Sequence, residues 1–391
     1  MNHQSSFRRA NRIASMEISE IVQLTEQANT LRATGKDILA LSTGEPDFPT
    51  PAHVIVAANK AALNGLTRYP ATMGAPALRD PIADMSSTQR ENVIISTGAK
   101  QVLANAMLAT LNPGDEVIIP APYWTSYSDI VALAYGIARV IPCAMNQGYK
   151  LTPAQLKAAI KPQSRWLMLN SPSNPSGAIY TAAELQAFAD VLRDHPNVMI
   201  LVDEIYRHLS YTAFVSFVDI APDLQDRILI VDGVSKAYSM TGWRIGWGIG
   251  PAAMIKAMGA VQGQVTSGAS SISQAAALEA ISGDQSLLKD RLDIFTKRRD
   301  MVVSSLNDIT GITCLEPDGA FYAFPNIEGA IKRKVLDSDA AFCRALLDQT
   351  GLAIVPGRAF GAPGHARISF ACAESALEDG LSRLTAFMNE N

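Results

Sequence analysis

The sequence predicts an α/β protein: a large domain built on a seven-stranded, mostly parallel sheet with helices on both faces, and a smaller α+β domain made from the two chain ends. Three observations point there. Between residues 93 and 250, short β-branched runs alternate with longer stretches of helical periodicity, the pattern of a βαβ series. Polar residues gather just after the strand candidates, where an open parallel sheet forms its ligand crevice. Near residue 286 a long charged helix opens a different pattern, and 391 residues exceed what one ordinary core organises. The expected division is 1–45 for an N-terminal arm and part of the small domain, 46–285 for the large domain, and 286–391 for the small C-terminal domain.

Along the chain, apolar spacing predicts an early helix from about Glu17 to Thr34. The strand candidates follow as Val93 to Ser96, Glu116 to Pro120, Ala138 to Pro142, Arg165 to Asn170, Val198 to Asp203, Arg227 to Asp232 and Ile245 to Gly250. Gln101 to Leu111 and Ala183 to Arg193 read as helices between them, with Pro113-Gly114 and Pro175 to Gly177 as turns. Beyond the charged helix from Ser286 to Arg299, strands at Ala320 to Phe324 and Ala366 to Phe370 flank helices near Asp339 to Gln349 and Glu374 to Met388.

Composition narrows the partners. A net charge of −4 gives no general attraction to nucleic acid or anionic lipid, so no nucleic acid and no membrane partner is expected. Hydrophobic residues make up 48% and charged residues 18%, which leaves little surface charge and suggests a subunit interface. The four cysteines, Cys143, Cys314, Cys343 and Cys372, are scattered without a CxxC pair, so inert thiols in a reducing, cytoplasmic setting are expected and no metal site. No run approaches the roughly 18 apolar residues of a membrane span. Met1 to Met16, with Arg8, Arg9 and Arg12, superficially resembles a transit peptide, but an N-terminal arm is the plainer reading.

The residues at the strand ends carry the chemistry. Thr97-Gly98-Ala99-Lys100 opens a helix whose free N–H groups suit a phosphate. Tyr123-Trp124, Asn170 with the turn holding Asn174, Asp203 with Tyr206, Ser235-Lys236 and Arg244 follow from successive units. A desolvated lysine can condense with an aldehyde. A carboxylate keeps a pyridine nitrogen protonated, an indole stacks on its ring, and an arginine grips a phosphate. One cofactor with an aldehyde, a pyridine ring and a phosphate would employ them all.

At SKAYSMTGWRIGW, residues 235 to 247, the chain resembles the fold-type-I pyridoxal-phosphate aminotransferases of class I/II, the aspartate aminotransferase superfamily. The likeness continues in STGEPDFPTP from Ser42, RYPATMGAPALRD from Arg68, STGAKQ from Ser96, PYW from Pro122, NSPSNPSG from Asn170, VDEIY from Val202, GAFYAF from Gly319 and GHARIS from Gly364. The resemblance implies that Lys236 holds the cofactor as a Schiff base and later moves a proton between substrate and cofactor. It implies that Asp203 pairs with the pyridine nitrogen, Tyr206 and Asn174 with the ring oxygen, and that Trp124 stacks on the ring. Gly98, Ala99, Arg244 and Ser235 would hold the phosphate, and Tyr69 would reach the phosphate in the partner subunit of a homodimer with shared active sites. Arg367 would bind the substrate α-carboxylate, helped by Gly44 and Asn174.

The sequence departs from the family pattern in three places. Gly233 stands where many relatives have a phosphate-binding serine, so that hydroxyl must come from Ser235 or be missing. The segment from Pro81 to Glu91 is short, and SMEISEI differs where the substrate side chain is read. Lys100 matches a lysine that meets the distal carboxylate in relatives acting on dicarboxylic substrates. The implied reaction is ping-pong transamination of an L-amino acid, aspartate favoured, with 2-oxoglutarate. Broad-range, aromatic or alanine-type donors and a C–S lyase are the alternatives. A regulator attached to a DNA-binding domain lacks its helix-turn-helix here, and an NAD oxidoreductase lacks GxGxxG after the first strand.

Overall fold

The structure, a computed structural model, describes residues 9–13, 16 and 20–390. Within SMEISEI, Ser15 and residues 17–19 lie outside them, as does most of the basic N-terminal arm. Twelve strands occur among the described residues, in chain order β1 Leu39–Ala40, β2 Val93–Thr97, β3 Glu116–Ala121, β4 Ile137–Pro142, β5 Ser164–Asn170, β6 Met199–Asp203, β7 Ile228–Gly233, β8 Ile245–Ile249, β9 Tyr322–Ala323, β10 Leu352–Ala353, β11 Val355–Pro356 and β12 Ala366–Ser369.

The seven expected strands form one sheet in the order β2-β8-β7-β6-β5-β3-β4. The pairs from β7 through β4 are parallel, whereas β8 runs antiparallel to both its neighbours, β2 and β7. Both sheet faces are buried, and the period-two geometry of a strand sends alternate residues to opposite cores. Ile118, Leu167, Leu169, Ile200, Val202, Ile228 and Ile230 enter the core on one side. Val117, Ile119, Trp166, Met168, Leu201, Leu229 and Val231 enter the core on the other. Edge strand β4 is largely uncovered, while β2 at the opposite edge is shielded by the helices Ala52–Leu63, Pro76–Met85 and Ser271–Ser282.

Helix starts follow local chemistry. Thr181 accepts from the Glu184 N–H and Glu184 returns to the Thr181 N–H, a capping box that fixes the start of Ala182–Arg193. The charged helix extends through Ser286–Asn307, eight residues beyond the expected end at Arg299, because Val302 and Leu306 continue its buried face. In the C-terminal part, β11-β12-β9 form a short antiparallel sheet. The expected strand at Ala320 to Phe324 shrinks to Tyr322–Ala323, since Ala320 takes a φ of +59° outside the β region. Near the N-terminus, β1 pairs in parallel with β10, joining the two ends of the chain. The early helix is described as Glu20–Ala33.

Candidate active site

A cavity of about 490 Å³ opens at the carboxyl ends of β5, β6 and β7. Its lining includes Gly44, Ala99, Lys100, Trp124, Asn174, Asp203, Tyr206, Ser235, Lys236, Arg244 and Arg367. The topology explains Arg244. A parallel β8 would leave the residue before it at the far edge of the sheet; the antiparallel direction returns Arg244 to the crevice. Of the residues expected at the site, Tyr69 stays apart, 93% exposed, in a shallow apolar depression with Leu66 and Ile272.

The Lys236 amine donates to the Gly44 carbonyl at 2.7 Å. Burial lowers its pKa to about 8, opposed by Glu45 and Asp203 and assisted by Arg367 and Arg244. Asp203 ends β6 and is 3% exposed. Its carboxylate accepts the Tyr127 hydroxyl at 2.8 Å and the Ile205 N–H at 3.2 Å. Burial pushes its pKa up to about 6 against those hydrogen bonds.

At the other end of the cavity, Gly98 precedes the helix Ala99–Thr110 with a φ of +79°. A Cβ there would overlap the Arg244 guanidinium, and a Cβ on Gly246 would overlap the Ala99 amide. Glycine at both positions lets an arginine and a helix N-terminus close on one anion-sized space. The same crowding accounts for Gly233: a side chain there would meet the Gly246 backbone at 2.9 Å. Ser235, buried, and Thr241 both line the cavity with aliphatic hydroxyls.

Arg367 on β12 is 2% exposed. It donates to the Asn174 side-chain oxygen at 3.0 Å and to the Ser42 carbonyl at 2.7 Å, while its Nε has no partner. The rings of Tyr322 and Phe360 lie 4.5 and 4.9 Å from the guanidinium carbon. Among the described residues no carboxylate pairs with it. A buried cation held this way has a strong electrostatic preference for an incoming anion.

Lys100 places its ammonium 4.8 Å from the Trp124 ring centre. Burial, followed by the charge of Arg244, lowers its pKa, and Asp129 opposes the shift. Tyr206 and Tyr322 share a 2.9 Å hydrogen bond between their hydroxyls. Tyr127, Glu45 and Tyr322 also line the cavity, and sequence reasoning gave none of them a role; Asn170, expected at a strand end, lines it too.

The family model for aminotransferase class I and II matches residues 36–384. The chain belongs to that family. It is 48% identical to an aspartate aminotransferase of Rhizobium meliloti, over 98% of this chain and 97% of the relative. It is equally 48% identical to an aspartate/prephenate aminotransferase of Cereibacter sphaeroides, covering 96% and 97% of the two chains. The crystal structure of an aspartate aminotransferase from Rhizobium meliloti superposes with a TM-score of 0.94 at 46% identity, over 98% of this chain and 99% of that one. An aspartate aminotransferase from Thermus thermophilus with maleate gives a TM-score of 0.91 at 35% identity, over 97% and 99%. As an aminotransferase of class I and II, the chain transfers amino groups, and its α/β fold is that of the aspartate aminotransferases it resembles.

Proposed function

We propose that this aminotransferase uses pyridoxal 5'-phosphate to move the amino group of an L-amino acid, aspartate favoured, to 2-oxoglutarate by a ping-pong route. The buried, carboxylate-free Arg367 beside Asn174 carries the reading. It offers an α-carboxylate two nitrogens in the same cavity as the Lys236 amine, close enough that its charge acts on that amine.

The donor set fits the cofactor. Gly98, Ala99, Ser235 and Arg244 supply N–H, hydroxyl and guanidinium donors for a phosphate, and Trp124 supplies a flat face for a ring. Asp203 supplies the carboxylate for a pyridine nitrogen, and Tyr206 with the Asn174 amide supplies donors for a ring oxygen. The bound cofactor would contribute an aldehyde to take the amino group and an electron-poor ring to stabilise negative charge. Lys236, with a pKa near 8, is poised both to lose its proton and, as a free amine, to carry one to and from the substrate Cα.

Lys100 supports a dicarboxylic substrate, since a cation held over Trp124 at the cavity wall suits a distal carboxylate. The relative named for prephenate favours a second reading of the acceptor, because prephenate also carries a carboxylate away from its 2-oxo acid end. The exposed apolar side chains Ile55, Val56, Leu63, Leu66, Tyr69 and Val265 support a homodimer with shared active sites, in which Tyr69 reaches the partner's phosphate site. The pairing of β1 with β10 supports the division 1–45 and 286–391 for the small domain and 46–285 for the large one. A half-reaction screen tests the function: the yellow loaded enzyme is mixed with single amino acids and the loss of its visible absorbance is followed. Aspartate and glutamate should bleach it fastest. A protein that no amino acid bleaches would overturn the reading.

A further inference from the structure

The geometry points to Tyr127 as a positioning residue that holds Asp203 in its ionised form and fixes the plane of Trp124. This rests on the proposed cofactor. Tyr127 stands in the first turn of the helix Ser126–Leu133, three residues after Trp124, and is 2% exposed. Its hydroxyl donates to Asp203 Oδ2 at 2.8 Å. Its ring meets the Trp124 ring edge-on, with centroids 5.5 Å apart at 87°. One side chain therefore touches both the carboxylate placed for the ring nitrogen and the indole placed for the ring face.

The chemistry runs in one direction. Burial raises the Tyr127 phenol well above 10, so at any working pH it keeps its proton and can only donate to Asp203. Apart from the Ile205 N–H, it is the sole hydrogen-bond donor to this carboxylate among the described residues. The charged groups that face Asp203 are Lys236 across the cavity and Asp232 on the adjoining strand, with Tyr206 on the segment after β6. Lys236 favours the ionised form and Asp232 opposes it. The Tyr127 hydrogen bond leads the influences that favour a charged Asp203 against its burial. An ionised Asp203 stabilises a protonated ring nitrogen; a neutral one does not. The edge-on contact adds a geometric role, because it braces the Trp124 ring, near whose centre the Lys100 ammonium also lies.

The test is Tyr127→Phe in the full chain, which keeps the ring against Trp124 and removes only the hydroxyl. Infrared titration of the Asp203 carboxylate, isotope-labelled and assigned with Asp203→Asn, should move upward by about one pH unit or more without cofactor, since hydrogen bonds to charged groups are worth about tenfold or more in equilibrium terms. The Kd for pyridoxal phosphate should rise about tenfold, and the ¹⁵N shift of the ring nitrogen should move toward the unprotonated value. For the loaded enzyme, kcat should fall about tenfold with KM for the amino donor within about twofold. Adding Tyr127→Phe to Asp203→Asn should change the Kd little, because the partner charge is already gone. An unchanged Asp203 titration with only a lower Tm, or full additivity of the two substitutions, would overturn the inference. A wild-type chain that fails to bind pyridoxal phosphate would instead overturn the proposed function, and the cofactor-free titration would still decide the role of Tyr127.

Discussion

The guanidinium of Arg367 and the side-chain oxygen of Asn174 meet at 3.0 Å, across a sequence separation of 193 residues. The contact fixes both groups. Asn174 turns its oxygen to the arginine, which leaves its NH₂ directed elsewhere, and the guanidinium lies close to the rings of Tyr322 and Phe360. Neither side chain neutralises the other, so the positive charge stays available to a substrate.

Arg367→Lys should therefore be severe despite keeping the charge, because an ammonium cannot make the paired, planar contact. The kcat/KM should fall about 100-fold for every amino acid regardless of its side chain, as expected for losing one charge-assisted pair. Steady-state kinetics with aspartate and alanine measure it; a loss confined to one of them would contradict the assignment of the α-carboxylate.

Lys100→Ala should act on substrate choice. The KM for aspartate and 2-oxoglutarate should rise about tenfold while alanine turnover stays within about twofold, since only dicarboxylates present a second anion. Equal changes for both classes would remove the dicarboxylate reading.

The lowered pKa of Lys236 has a sign that can be checked. With a folded pKa near 8, only about a tenth of the amine is free at pH 7, so the rate of covalent capture of the cofactor aldehyde should rise from pH 6 and level off above about 8. Stopped-flow absorbance follows it. Lys236→Ala should abolish turnover and this spectral change while leaving the fold intact.

Glu204 is 1% exposed; one of its oxygens accepts the Ser216 hydroxyl at 2.5 Å and the other has no partner. Burial pushes its pKa up to about 8. A raised carboxyl pKa means the folded state binds more protons than the unfolded one between about pH 4.5 and 8, so its contribution to stability is lost as pH rises through that window. Glu204→Gln should raise stability at pH 9 by on the order of 1–3 kcal/mol and change little at pH 4. Urea unfolding at the two pH values measures the difference.

The strand pattern was legible because Val, Ile and Leu must fill both faces of the central sheet, which gives runs such as Val93 to Ile95 and Ile228 to Val231. Asp203, Lys236 and Arg244 were legible because each stands at a strand boundary inside a recognisable segment. The short strands β1, β10 and β11 were not, since two residues carry no periodicity, and the β1–β10 pairing joins segments more than 300 positions apart. Tyr127 was passed over because nothing local marks its hydroxyl as the partner of a carboxylate 76 residues away.

By itself, the order of residues determined the succession of strands and helices and the chemical kind of each group at the strand ends, because periodicity and side-chain type are local properties. The tertiary structure decided how those groups meet. Reversing β8 set Arg244 beside Gly98, burial drew the Lys236 amine down toward neutrality, and packing between aromatic rings left Arg367 charged without a counter-ion. Desolvation and strand direction depend on neighbours distant in the chain, and only folding brings those neighbours into place.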